Sequence, residues 1–118
     1  MTALENSDVP VYLKLRGLLA AMILEGRYGE GDQLPSVRVF AASHDVNPLT
    51  IAKAYQCLQD EGYVVVKRGV GMFVADGAID RLRIHERAIF LNYIWPRMRA
   101  HIDRLGISID ELLNLVDS

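Results

Sequence analysis

The sequence has a single cysteine, Cys57, among 118 residues. An internal disulfide is therefore excluded, and the thiol suits a reducing compartment, with packing beside a buried helix face as its expected role. Long apolar runs are missing as well. The longest, Leu18–Leu24, falls far short of the about 20 residues that span a bilayer, so no membrane partner is expected. Histidines are few, and His44, His85 and His101 have no metal-ligand spacing with one another or with Cys57, so neither a metal nor any other cofactor is expected. There is no nucleophile elbow and no phosphate-binding P-loop. Gly69-Val70-Gly71 joins two strand patterns and opens no helix, unlike a dinucleotide fingerprint. Nothing here points to an enzyme. The opening segment, Met1–Pro10, is acidic and lacks the basic start of a secretory signal, so a cytoplasmic protein is expected. An excess of positive charge is also lacking, since the net charge is −2. That balance matters less than its distribution, because charges are screened beyond about 8 Å. Acid collects at the end of the chain: Leu105–Ser118 has three acidic residues and no basic one, whereas Asp76–Arg104 has six basic and four acidic.

Hydrophobic residues make up 51% of the chain and charged residues 24%, which describes a folded domain and not a disordered tail. The length allows one modest core, or a small domain with an appendage. Leu15, Leu18, Leu19, Met22 and Ile23 recur at helical spacing and predict a helix over Pro10–Glu25, stopped by Gly26. A glycine-rich loop, Arg27–Pro35, leads to a second helix over Ser36–Ser43, with Ser36 as its N-cap. After the turn His44–Val46, Asn47 and Pro48 form a strong start signal, an Asx cap followed by a first-turn proline. Ile51, Ala54, Tyr55 and Leu58 then define the buried face of a third helix, closed by Asp60-Glu61-Gly62. Tyr63–Lys67 is β-branched and aromatic, Arg68–Gly71 is a tight turn, and Met72–Ala75 returns, so a hairpin is expected. A long helix over Ile79–Leu105 ends at Gly106. A short one over Ile109–Val116 opens on the capping-box pair Ser108 and Glu111.

Helix, turn, helix and hairpin in this order predict an α+β, mainly α fold: a winged helix-turn-helix over residues 9–76, followed by a helical dimerisation appendage over residues 77–118. The third helix leaves Asn47, Leu49, Thr50, Ala52, Lys53 and Gln56 off its buried face, with polar groups gathered at the N-terminal end, where the positive pole of the helix favours phosphate. Such a helix fits the major groove, and its first residues reach base edges. Lys67 and Arg68 supply charge at the hairpin tip, where Gly69 and Gly71 permit close backbone approach.

Gly31-Asp32-Gln33-Leu34-Pro35-Ser36 with Arg38, Phe40 and Ala41, then Val46-Asn47-Pro48-Leu49-Thr50-Ile51, then Gly62-Tyr63, then Lys67-Arg68-Gly69-Val70-Gly71-Met72-Phe73-Val74 together resemble the GntR family of bacterial regulators. The resemblance covers roughly Val9 to Ala75, and the short C-terminal part is similar to the YtrA-like subfamily, in which two helices replace a large effector domain. The resemblance implies a transcription repressor. It also implies DNA contacts from Ser36 and Arg38, from Asn47, Thr50 and Lys53, and from Arg68 and Gly69. Two positions depart from the family pattern: Pro48 stands where many members carry arginine or serine, and Ala52 where some carry arginine.

Ala88–Trp95 is apolar on nearly every face, whereas a helix lying on one core needs only a stripe. A second copy of the chain is the simplest cover, anchored by Ile89, Phe90, Tyr93, Ile94 and Trp95 in a two-fold contact. Folding back onto its own domain is the alternative. Pro96 in this stretch cannot donate to the Asn92 carbonyl, so one bent helix or two helices are expected. The partners expected are thus double-stranded operator DNA and a second copy, with a small-molecule effector unknown. Two other functions fit the residues: a winged-helix protein–protein module, favoured by the acidic balance, and a ligand sensor with its site at the dimer interface near Tyr93 and Trp95.

Overall fold

The structure, a computed structural model, describes residues 9–116. The acidic start, Met1–Asp8, and the last two residues, Asp117 and Ser118, lie outside the described residues. The elements follow the order α1 Val11–Leu24, α2 Val37–His44, α3 Pro48–Asp60, β1 Val64–Lys67, β2 Gly71–Val74, α4 Ala78–Ile89, a π-helical turn Phe90–Ile94, α5 Trp95–Leu105 and α6 Ile109–Val116. The mainly helical α+β composition agrees with the pattern of the sequence, as do the element boundaries to within a residue or two.

Two compact units divide the chain between His85 and Glu86. In the first, α3 packs against both α1 and α2. Leu19 and Ile23 of α1, Phe40 of α2, and Ile51 and Leu58 of α3 are essentially fully buried, together with Val64 and Val74 of the hairpin. Ala78 and Leu82 of α4 complete this core, so the opening turns of α4 are part of the first unit. Arg81 strengthens that attachment by donating to the Gly62 carbonyl at 2.9 Å while lying over the Tyr63 ring.

The hairpin pairs Val64 with Val74, Val65 with Phe73, Val66 with Met72 and Lys67 with Gly71. The loop before α2 adds a third edge. Leu34 donates to the Met72 carbonyl at 2.8 Å, Val74 to Asp32 at 2.9 Å, and Gly31 to Val74 at 2.9 Å. A two-stranded hairpin is marginal by itself in water; this extra edge fixes it to the body.

The path around Pro96 is helical throughout. Trp95 donates to the carbonyl of Phe90, five residues back, so the chain widens into a π turn just before the proline. An ordinary turn would set the Pro96 ring against the Asn92 carbonyl. The wider turn relieves that conflict without ending the helix. α6 opens with the expected capping box: the Glu111 N–H donates to Ser108 Oγ at 3.1 Å, and the Ser108 N–H donates to Glu111 Oε1 at 3.2 Å.

Candidate nucleic-acid interface

α3 is placed by contacts at both ends. Its N-cap is Asn47, whose Oδ1 accepts the Leu49 N–H at 2.8 Å, with Pro48 in the first turn. The turn from α2 is short because Asp45 adopts a left-handed conformation, φ 51°, and Val46 donates back to Ala41 at 3.0 Å. The Tyr55 hydroxyl donates to the Pro35 carbonyl at 2.6 Å, and its ring meets Phe40 edge-on. One buried side chain therefore holds α3 against both the start and the middle of α2. Burial, followed by the neighbouring Tyr28, pushes the Tyr55 pKa up to about 12, so the phenol is neutral and able to donate throughout the physiological range. At its far end α3 stops at Gly62, φ 83°, where Tyr63 donates to Leu58 at 2.9 Å and turns the chain into β1.

With Ile51, Ala54, Tyr55 and Leu58 turned inward, Asn47, Leu49, Lys53 and Gln56 are exposed and Thr50 is half-buried. Asn47, Thr50 and Lys53 recur every three residues and share one outward strip. Neither α2 nor α3 has an acidic residue in its first turn, whereas α4 and α6 both do. The positive poles of the two paired helices are thus left uncompensated by their own side chains, which suits a polyanion.

The other expected residues fall as follows. Ser36 is exposed, and its Oγ accepts the Val39 N–H at 3.2 Å as the N-cap of α2, while its hydroxyl hydrogen remains able to donate outward. Arg38 is exposed two residues further on. Lys53 lies with its ammonium 4.2 Å from the centre of the Tyr12 ring, so it is oriented by α1. Lys67 is likewise held 4.4 Å over Phe73 on one face of the hairpin. Arg68 and Gly69 occupy the centre of the exposed tip, closed by the Val70 N–H donating to Lys67 at 2.9 Å, with Gly69 at φ 77°. Of the two wing cations, Arg68 is the one at the turn itself.

Three residues of this region were given no role by the sequence. Leu49 is 81% exposed, the most open of the large apolar side chains described. Tyr12 orients Lys53, and no local pattern links them. Gln33 crosses the base of the wing turn and donates to the Val70 carbonyl at 3.0 Å. For Leu49 the i, i+3, i+4 pattern of Ile51, Ala54, Tyr55 and Leu58 already gives the outward placement, and the structure agrees; for Tyr12 and Gln33 no local pattern gives a partner.

In the second unit Phe90, Tyr93 and Ile94 are exposed while Trp95 is half-buried; Ile89, at the end of α4, is half-buried. Tyr93 is 68% exposed, and Leu91, Leu105, Leu113 and Leu115 add to the open apolar surface. Among the described residues no group of histidine, cysteine, aspartate or glutamate side chains could hold a metal ion, and no helix is long and apolar enough to cross a membrane.

Two helices joined by a tight turn, the second with a polar outward strip, and a cation-tipped hairpin braced against them define a winged helix-turn-helix. Residues 11–74 match the family described as bacterial regulatory proteins, gntR family, and the chain belongs to that family. Two relatives come from Bacillus subtilis, and the chain spans only about half the length of the first. The HTH-type transcriptional repressor YtrA is 36% identical over 62% of this chain and 56% of its own length. The HTH-type transcriptional regulator YhcF is 35% identical over 92% of this chain and 88% of its own. Among solved structures, a GntR family transcriptional regulator from Listeria monocytogenes superposes with a TM-score of 0.71 at 25% identity, covering 96% of this chain and 97% of that one. The DNA-binding domain of AraR in complex with the operator ORE1 superposes with a TM-score of 0.54 at 25% identity, over 57% of this chain and 82% of that one. These relatives are named as regulators of transcription and not as enzymes.

Proposed function

We propose that this chain is a sequence-specific regulator of transcription that binds double-stranded DNA as a homodimer and represses from an inverted-repeat operator in the cytoplasm. Residues 9–76 form the DNA-binding domain in this reading, and residues 77–118 the pairing region. The observation that carries it is the outward strip of α3, exposed at the helix end where the dipole is positive, with Arg68 and Gly69 at the wing tip. The operator complex of the related AraR domain supports the nucleic-acid partner. Ser36, Arg38, Asn47, Thr50 and Lys53 serve as the contacts from the helix pair, and Lys67, Arg68 and Gly69 as those from the wing. The apolar surface around Ile89, Phe90, Tyr93, Ile94 and Trp95 supports pairing of two copies, because so much open apolar area invites a cover.

The test is selection of bound duplexes from a random pool, followed by titration. Enrichment of an inverted repeat with half-sites about one helical turn apart is expected. Affinity should fall steeply with salt through counterion release. Arg38→Ala and Arg68→Ala should each weaken binding by about 1–3 kcal/mol where the contact is specific. Parent-like binding by both variants, or affinity indifferent to salt, would overturn the reading. Placing the selected site over a promoter tests repression directly.

A further inference from the structure

We propose that Leu49 reads the C5-methyl group of thymine, and that this contact sets the sequence preference of each half-site. The inference rests on the DNA-binding reading above and goes beyond it by naming the base feature recognised. Single exposed leucines are ordinary on protein surfaces. This one sits in the first turn of the helix that enters the groove, 81% exposed, where burial on docking is built into the motif.

The neighbouring groups narrow what this helix end can recognise. Pro48 and Ala52 carry no hydrogen-bonding side chain. Asn47 has committed an acceptor position of Oδ1 to the Leu49 N–H at 2.8 Å, which constrains the amide orientation that bidentate pairing with adenine requires. Lys53 is drawn toward Tyr12, 4.2 Å from its ring centre. Thr50 keeps its hydroxyl for phosphate or a base edge but is half-buried, so the group that protrudes furthest at this end is aliphatic. The major groove presents one apolar feature to such a group, the thymine methyl. Bringing the two together removes apolar surface from water on both partners.

The experiment uses the full chain and the duplex enriched from a random pool, with each thymine replaced in turn by deoxyuridine, which deletes the methyl and keeps the pairing. At the thymine facing Leu49 the parent protein should lose about four-fold in affinity per half-site, or about sixteen-fold when both halves are changed, the worth of one methyl group each. Leu49→Ala should bind the thymine duplex more weakly and be indifferent to deoxyuridine at that position. Leu49→Met, which restores apolar reach, should regain the sensitivity. Thermal midpoints of both variants should match the parent, since the side chain is exposed. Indifference of the parent to deoxyuridine at every position overturns the proposal, and so does an undiminished deoxyuridine penalty in Leu49→Ala; operator binding itself survives either result. A pool that enriches no sequence removes the DNA-binding reading, and this proposal with it.

Discussion

The guanidinium of Arg16, in the middle of α1, grips the carboxylate of Glu61 at the C-terminal boundary of α3 through two hydrogen bonds of 2.8 and 2.9 Å. Arg16 is buried, whereas the Glu61 side chain is 31% exposed. A carboxylate at a helix C-terminus opposes the helix dipole, so the arginine also relieves an unfavourable placement. His85 of α4 stands 4.0 Å from the same carboxylate, so the contact joins three helices within the first unit.

Removing the carboxylate takes two hydrogen bonds from the buried guanidinium. Glu61→Ala should therefore destabilise the fold by about 1.5–3 kcal/mol, the range for hydrogen bonds to charged groups, with the exposure of Glu61 keeping it below the cost of a fully buried pair. Urea unfolding should show a lower midpoint at unchanged slope. Glu61→Gln, which keeps one of the two accepting oxygens, should lose less. Equal stability of parent and Glu61→Ala would mean that the contact adds nothing.

Alkaline stability should report on Tyr55. Its pKa is about 12 in the fold, against the ordinary 10.0 of a tyrosine phenol, because burial disfavours the phenolate. Between these values the unfolded chain releases the proton and the native chain keeps it, so stability falls as pH rises. The contribution is intact below pH 10 and is lost on approaching pH 12. Tyr55→Phe should flatten that part of the profile. It should also cost about 0.5–1.5 kcal/mol at neutral pH through loss of the 2.6 Å bond to Pro35. The comparison is of denaturation midpoints for both proteins at pH 8, 10 and 11.

Gly71 is the tightest backbone position of the wing. A Cβ there would collide with Nε2 of Gln33, at a φ of 149° that side chains rarely adopt. Gly71→Ala should push Gln33 off the Val70 carbonyl and loosen the wing turn, with a stability loss of about 1 kcal/mol or more. Gln33→Ala in the same chain should recover part of the loss by removing the clash while leaving the φ cost. A double-mutant cycle showing no coupling between the two positions would refute this account of the brace.

The apolar surface of the second unit gives a prediction about assembly. Phe90→Asp together with Tyr93→Asp should yield a monomer by sedimentation, with a thermal midpoint that no longer depends on protein concentration. Affinity for an inverted repeat should drop about 10²–10⁴-fold as bivalence is lost, while affinity for an isolated half-site stays near that of the parent. A doubly substituted protein that still sediments as a dimer would locate the interface elsewhere.

Much of this architecture follows from local chemistry. Ser36 and Asn47 announce helix starts because a side-chain oxygen satisfies an orphan amide within three residues, and both do so here. The spacing of Ile51, Ala54, Tyr55 and Leu58 separates the inner from the outer side of α3, because helical period alone decides which side chains share a face. The β-branched run Val64-Val65-Val66 and the Arg68–Gly71 turn prescribe the hairpin in the same way. Partners remote in the chain were beyond such rules. Arg16 and Glu61 are 45 positions apart, Gln33 and Val70 are 37 apart, and Lys53 meets Tyr12 only because α1 and α3 pack together. Those contacts depend on which helix faces which, and that choice is made by collective burial of the core, where no short window of residues holds the information. Pro96 belongs to the same category. Its ring imposes a conflict that several backbone paths could relieve, and the fold takes the widened turn at Phe90–Ile94.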